Sequence, residues 1–287
     1  MKKFLYTLAF VSVLSPLVKA QDPVPAPAPA NDNFDRKFRF GLRITPQPTW
    51  ISSSDKNNTP NGAGFGFGFG LNMEFRFSDI AALQTGIGGD FENIKYKLRH
   101  DPLNGYDVAY WQDESGEIIE PAGNKRSEST IYHLKERKIR STFATIPLIL
   151  KLSTREYNGL KYFGMFGGEL GIRLKGQAAD TYYNYGKYAD TLYVPISNVE
   201  STETSLNVTK ELFPVRLAFN AGAGVEYRLG GSTSLFISIN YFRSLTSYMY
   251  KESSYLYYRS VNDVSGFRYV KQALTLNAIK INIGIMF

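Results

Sequence analysis

The sequence of 287 residues contains no cysteine, only two histidines and two tryptophans, and nowhere an unbroken apolar stretch of about 20 residues. Without cysteine there are no disulfides, no Cys-ligated zinc or iron–sulfur sites and no thiol nucleophile. Without a long apolar run there is no helical membrane span. The two histidines, His100 and His133, are too far apart for a local His-x-x-x-His pair, which argues against an imidazole-rich metal site. No cofactor or metal is expected. What the chain has in quantity is aromatic and small residues, 20 Phe, 20 Tyr and 25 Gly, together with a formal charge of +7. Its mean hydropathy is nonetheless negative.

The amino terminus reads as an export signal. Lys2 and Lys3 precede a largely apolar run from Phe4 to Val18, and Val18-Lys19-Ala20 ends it in a small-x-Ala pattern. Residues 1–20 are therefore expected to be removed by cleavage between Ala20 and Gln21. With Lys2, Lys3 and Lys19 gone, 33 basic residues become 30 against 26 acids, and +7 falls to +4. The Pro-Ala tract that follows, DPVPAPAPA over 22–30, favours extended polyproline II and cannot pack a core. Residues 21–35 are read as a spacer and 36–287 as the folded domain.

From there the period is two. In Ala63–Phe77, Phe65, Phe67, Phe69, Leu71, Met73, Phe75 and Phe77 occupy one parity, and Gly66, Gly68, Gly70, Asn72, Glu74 and Arg76 the other. Alternation this long fits a strand with an apolar medium on one face and a polar one on the other. The glycines do not form a phosphate loop, since Gly-x-Gly-x-x-Gly and Gly-Lys-Ser/Thr are both missing. They are expected to leave room for large side chains of neighbouring strands. The same alternation marks 37–45, 82–91, 142–152, 162–174, 213–229, 235–241 and 279–287, making eight segments. Short and long connections between them alternate, as in a barrel with turns on one side of a membrane and loops on the other. Pro147 and Pro214 are expected at an edge, bulge or strand end.

The chain ends on a regular alternating strand, with Ile283, Ile285 and Phe287 on the apolar parity. This resembles the terminal strand by which bacterial outer-membrane barrels are recognised by their assembly machinery. The expectation is an all-β, eight-stranded, antiparallel up-and-down transmembrane barrel in the outer membrane, with a periplasmic amino terminus. Ten strands remain open if 117–137 adds a hairpin.

Three further segments carry a family resemblance: FGLRITPQPTW (40–50), TIPLILK (145–151) and GAGVEY (222–227). On these the chain resembles the PorT-like outer-membrane β-barrel family of Bacteroidota. The resemblance implies architecture and no reaction. It also implies a link to the type IX secretion and gliding apparatus, from a component of which the family takes its name.

If the apolar parity meets lipid, the lumen receives Arg39, Arg43, Glu74, Arg76, Glu169, Arg173, Arg216, Glu226 and Arg228, together with Lys37, Asp90, Lys151, Lys175 and Lys280. An eight-stranded interior is only wide enough to be filled by side chains, and buried charges need partners. The expected result is a plugged, charge-networked lumen and a non-enzymatic structural or interaction role. One alternative is a narrow anion-preferring pore. Another is a lipid A-modifying barrel enzyme using His133 with Ser129 or Ser141, although no Asp/Glu-His-Ser constellation assembles from the sequence, and no catalytic residue is assigned. Tyr182, Tyr183, Tyr185 and Tyr188 in one long loop and Tyr255, Tyr257 and Tyr258 in another are candidates for external recognition, by an envelope protein complex or an extracellular ligand. The other reading of these tyrosines is a girdle at the lipid headgroups. Membrane lipid and the assembly machinery are the expected partners; nucleic acid is not, because the basic residues alternate with Phe and Leu along strands.

Overall fold

The outward face of the third strand exposes its phenylalanines, with Phe65 at 64 % and Phe69 at 52 % accessibility, while the inward Asn72 and Glu74 are at 1 %. A chain folded around a conventional apolar core would reverse this arrangement. Here the polar parity is enclosed and the apolar parity surrounds it.

The computed structural model describes residues 37–100, 106–113, 115–119, 130–183, 200–259 and 268–287. The expected export signal with Ala20 and Gln21, the expected spacer, Ser129, Tyr185 and Tyr188 lie outside the described residues.

Eight strands make a ring: β1 (Phe38–Ser53), β3 (Gly64–Arg76), β4 (Ala81–Leu98), β7 (Thr130–Ser153), β8 (Leu160–Tyr183), β10 (Val215–Gly230), β11 (Thr233–Ser244) and β14 (Leu274–Met286). Each is hydrogen-bonded to the next in that order, and β14 returns to β1, all antiparallel. The fold is an all-β, antiparallel, up-and-down sheet with an eight-strand ring. Residues 77–80, 154–159 and 231–232 make the short connections; the other connections are long and carry the remaining strands. These are β2 (Asn58–Pro60), β5 (Asp107–Gln112), β6 (Ile118–Ile119), β9 (Glu200–Asn207), β12 (Glu252–Arg259) and β13 (Arg268–Lys271).

The expected segments mark eight ring strands but underestimate their length. A membrane crossing needs about 9–11 residues per strand, whereas β7 and β8 have 24 each. The outward side chains of β7 are apolar from Leu152 to Ile146 and become Arg140 and Lys138 above, where the strand leaves the band. On the long-loop side, β7 pairs with β5, β5 pairs with β12, and β12 pairs with β13. Together they form a canopy over the ring. Among the described residues the segment 117–137 adds no strand to the ring: β6 pairs with β5, and residues 130–137 are the upper part of β7.

Proline positions follow from ladder chemistry. Pro147 does not end β7. It falls where the β4–β7 pairing skips from Thr85↔Leu148 to Gly88↔Thr145, so its missing N–H costs no ladder bond there. Pro46 and Pro48 lie in the matching gap between β1 and β14. Pro214 directly precedes β10.

Candidate functional site

The glycines of the polar parity make the interior possible. A Cβ on Gly224 would stand 2.6 Å from Phe163 Cζ, and one on Gly222 would stand 2.7 Å from Asn240 Cγ. On Gly70 it would meet Arg43 Nε at 3.2 Å, and on Gly171 Arg216 Nε at 3.2 Å. Each glycine faces a large side chain from an adjacent strand, and the interior fills from those strands.

Two charged layers result. Near the short turns, Arg39 Nη1 lies 2.7 Å from Glu226 and 3.6 Å from Glu74. Lys151 Nζ donates to both of these carboxylates at 2.7 Å. Arg76 Nε donates to Glu74 at 2.9 Å, Ser234 donates to Glu226 at 2.7 Å, and Arg39 donates to Ser234. Higher up, Lys280 Nζ holds Asp90 at 2.8 Å and both oxygens of Glu169 at 2.9 Å. Arg216 donates to Glu92 and lies 3.5 Å from Glu169 and 3.7 Å from Asp90. Every carboxylate in both layers has at least one cation on it, the arrangement in which buried ions are tolerated.

Between the layers Asn240 donates to Asn220 at 2.8 Å and Thr45 donates to Asn282 at 2.8 Å. The void here, bounded by Arg43, Asn72, Met165 and Asn240, has a volume of only 20 Å³, room for about one water. Above the second layer the interior turns apolar, with Ile94, Ile139, Phe143, Phe242, Tyr248 and Met249 in one buried cluster.

Several expected lumenal residues take other roles. Arg43 fills the space over Gly70 and Gly88 and has no carboxylate within ion-pair distance among the described residues. Arg173 donates to the carbonyl of Leu212, fastening the segment before β10. Arg228 is at the rim, 3.5 Å from Glu156 and donating to the Gly231 carbonyl. Lys37 is exposed. Lys175 points outward because the pairing slips between Thr142↔Lys175 and Phe143↔Arg173; the extra residue, Leu174, reverses the parity above it. Glu92, which shares the parity of Asp90, is a network member that counting from the segment 82–91 leaves out.

The canopy holds a third polar cluster. Arg137 Nε and Nη2 donate to the two oxygens of Asp180 at 2.7 and 2.5 Å, and Nη1 donates to Tyr255 Oη at 2.7 Å. Burial opposes the charge on Arg137, but Asp180 outweighs it and raises the guanidinium pKa well above its usual value. Asp107 receives both histidines, His133 Nδ1 at 2.5 Å from Oδ2 and His100 Nδ1 at 3.3 Å from Oδ1. Burial pushes the Asp107 carboxyl up, yet hydrogen bonds from His100 and His133 prevail and hold it below the ordinary carboxylate range. The second alternative does not assemble from Ser141: this residue is eight positions along β7 from His133, about 26 Å of strand, and its hydroxyl is 2.5 Å from Tyr248 Oη.

The loop tyrosines also require a correction. Tyr255, Tyr257 and Tyr258 are buried, with Tyr257 at 2 % accessibility, and belong to the canopy interior and not to a docking surface. Tyr255 packs edge-on against Tyr110, and Tyr258 against Tyr106. Tyr183 stacks on His100 at 4.2 Å, and Tyr182 meets Tyr132 edge-on at 4.8 Å. At the carboxy terminus Ile283 and Ile285 face outward, paired with Ile44 and Leu42. Phe287 hydrogen-bonds through its N–H to the Phe40 carbonyl, with the two rings 5.4 Å apart.

Residues 20–250 match the family described as "Outer membrane protein beta-barrel domain". The chain belongs to this family. It is thus an outer-membrane β-barrel protein. Solved structures similar to it share little sequence. Neisserial surface protein A is 12 % identical over 86 % of this chain and 95 % of its own, with a TM-score of 0.32. OprG from Pseudomonas aeruginosa is 9 % identical over 87 % and 93 %, with a TM-score of 0.38. The outer membrane protease OmpT from Escherichia coli is 10 % identical over 87 % and 96 %, with a TM-score of 0.37. No curated protein matches the sequence.

Proposed function

We propose that the barrel is a closed, non-catalytic scaffold whose lumen is a structural plug and whose long-loop canopy, projecting outside the cell, serves an interaction role in the envelope. The observation that carries this reading is the filled interior. Two ion-paired layers and an apolar layer succeed one another along the axis, and the void between the charged layers is only 20 Å³. A hydrated anion needs a continuous polar path, and the apolar layer around Phe143, Phe242 and Met249 crosses that path. The likeness of the 40–50, 145–151 and 222–227 segments to PorT-like proteins supports membership of an envelope complex of the secretion or gliding type.

Planar-bilayer recording on the purified protein tests the plug: the expected trace has no steady conductance, and steady anion-selective conductance overturns it. Copurification in mild detergent tests the interaction role, and a barrel that emerges alone under every extraction condition would remove it.

A further inference from the structure

The outer wall carries a charge pattern that the lumen does not explain. Lys95 on β4 and Lys138 on β7 are direct cross-strand partners, and both point outward, since Ile94, Tyr96, Arg137 and Ile139 point in. Like charges directly opposite on one face of a sheet repel. Arg140 follows Lys138 on the same face, opposite Asn93 on one side and Gln177 on the other. Lys175, turned outward by the parity reversal at Leu174, sits opposite Thr142 and diagonal to Arg140. Among the described residues no carboxylate lies within ion-pair distance of any of these four cations. Glu92, at the base, points inward to Arg216. Glu136 is a step higher, opposite Lys97.

These side chains line a cleft of about 790 Å³ whose lower edge is Phe65 and Phe91, both well exposed at 64 % and 43 %. The cleft therefore grades from aromatic to cationic at the height where the apolar band ends. Across the β1–β14 closure the outward positions Asn277 and Thr275 carry no charge, and Arg243 of β11, opposite Asn277 on one side and Phe219 on the other, is a single outward cation apart from the cluster of four.

We infer that this cleft binds the phosphate of an outer-leaflet phosphorylated glycolipid, with Lys95, Lys138, Arg140 and Lys175 around the phosphate and the acyl chains against Phe65 and Phe91. An anion between Lys95 and Lys138 relieves their repulsion, and the charge-assisted contacts are the strong kind. Binding by the outer leaflet rests on the reading that the long-loop side faces out.

The test uses the full-length protein in symmetric phosphatidylcholine vesicles containing either bis-phosphorylated or dephosphorylated lipid A, followed by native mass spectrometry of retained lipid. Wild type should retain the phosphorylated form about tenfold or more over the dephosphorylated one, and Lys95→Gln/Lys138→Gln/Arg140→Gln should lose that preference. The control Lys37→Gln/Lys251→Gln/Lys271→Gln removes three exposed charges elsewhere and should bind as wild type. Heat-modifiable electrophoretic mobility checks that each variant is folded. Equal retention of the two lipids by wild type, or an unchanged preference in the folded cleft variant, overturns the site. Full competition by millimolar inorganic phosphate overturns the lipid as its occupant. Because the vesicles are symmetric, these results do not depend on orientation. Orientation is read separately by labelling Lys210→Cys on intact cells, where failure to label overturns the outward-facing reading.

Discussion

Asp107 and His133 are 26 residues apart in sequence, yet the Oδ2 of the first lies 2.5 Å from the Nδ1 of the second. His100 lies against the other oxygen of the same carboxylate. A single buried acid thus joins both histidines of the chain and ties the start of β5 to the top of β7. Because its folded pKa is lowered, the contribution of Asp107 is complete above the unfolded value of about 3.9 and is lost as the pH falls through the folded value. Trp111, on the same short strand, reports on it. Its fluorescence should be stable above pH 4 and shift below, and Asp107→Asn should show the low-pH signal already at neutral pH. Identical acid profiles for the two proteins would refute the assignment.

Lys151 bridges Glu74 and Glu226. Replacing it with Met leaves two buried carboxylates with one fewer cation between them, and should cost about 3–5 kcal/mol in reversible urea unfolding from lipid vesicles. Adding Glu226→Gln should recover part of that loss. Additive losses in the double-mutant cycle would show that the two residues do not interact energetically.

Glycine at 224 is required by its neighbours. Gly224→Ala places a methyl group against Phe163 and Ser238 and should destabilise the barrel by about 1–3 kcal/mol. Gly230→Ala, where a Cβ has nothing within 4 Å, should change stability by less than about 0.5 kcal/mol. Comparable urea midpoints for the two variants would contradict the packing described for the lumen.

We expect Ile283, Ile285 and Phe287 to act as the assembly signal. Phe287→Ser should lower the amount of folded barrel in the outer membrane while leaving refolding into detergent micelles, where no machinery is present, close to wild type. An equal defect in micelles would show instead that the contact of Phe287 with Phe40 is needed for stability.

The eight ring strands were legible because a strand between lipid and an enclosed polar interior writes its two environments into alternate residues. Segments such as 63–77 and 213–229 therefore announced both their direction and their faces. The canopy was not legible: β5, β12 and β13 are short, lie above the membrane, and carry no alternation imposed by lipid. Hence Tyr255, Tyr257 and Tyr258 resembled an exposed recognition surface, and their burial against Arg137, Tyr110 and Tyr106 depends on strands far away in sequence.

The division is physical. The sequence alone determined the architecture, the membrane address and the polar character of the interior, since each follows from period, composition and local chemistry. Tertiary structure decided which charges meet. The slip at Leu174 moved Lys175 from the lumen to the outer wall, and closure of the ring brought Lys280 to Glu169 and Lys151 to Glu74 and Glu226. Parity is a property of one strand, whereas partnership depends on the register of several, and register is settled only when the ring closes.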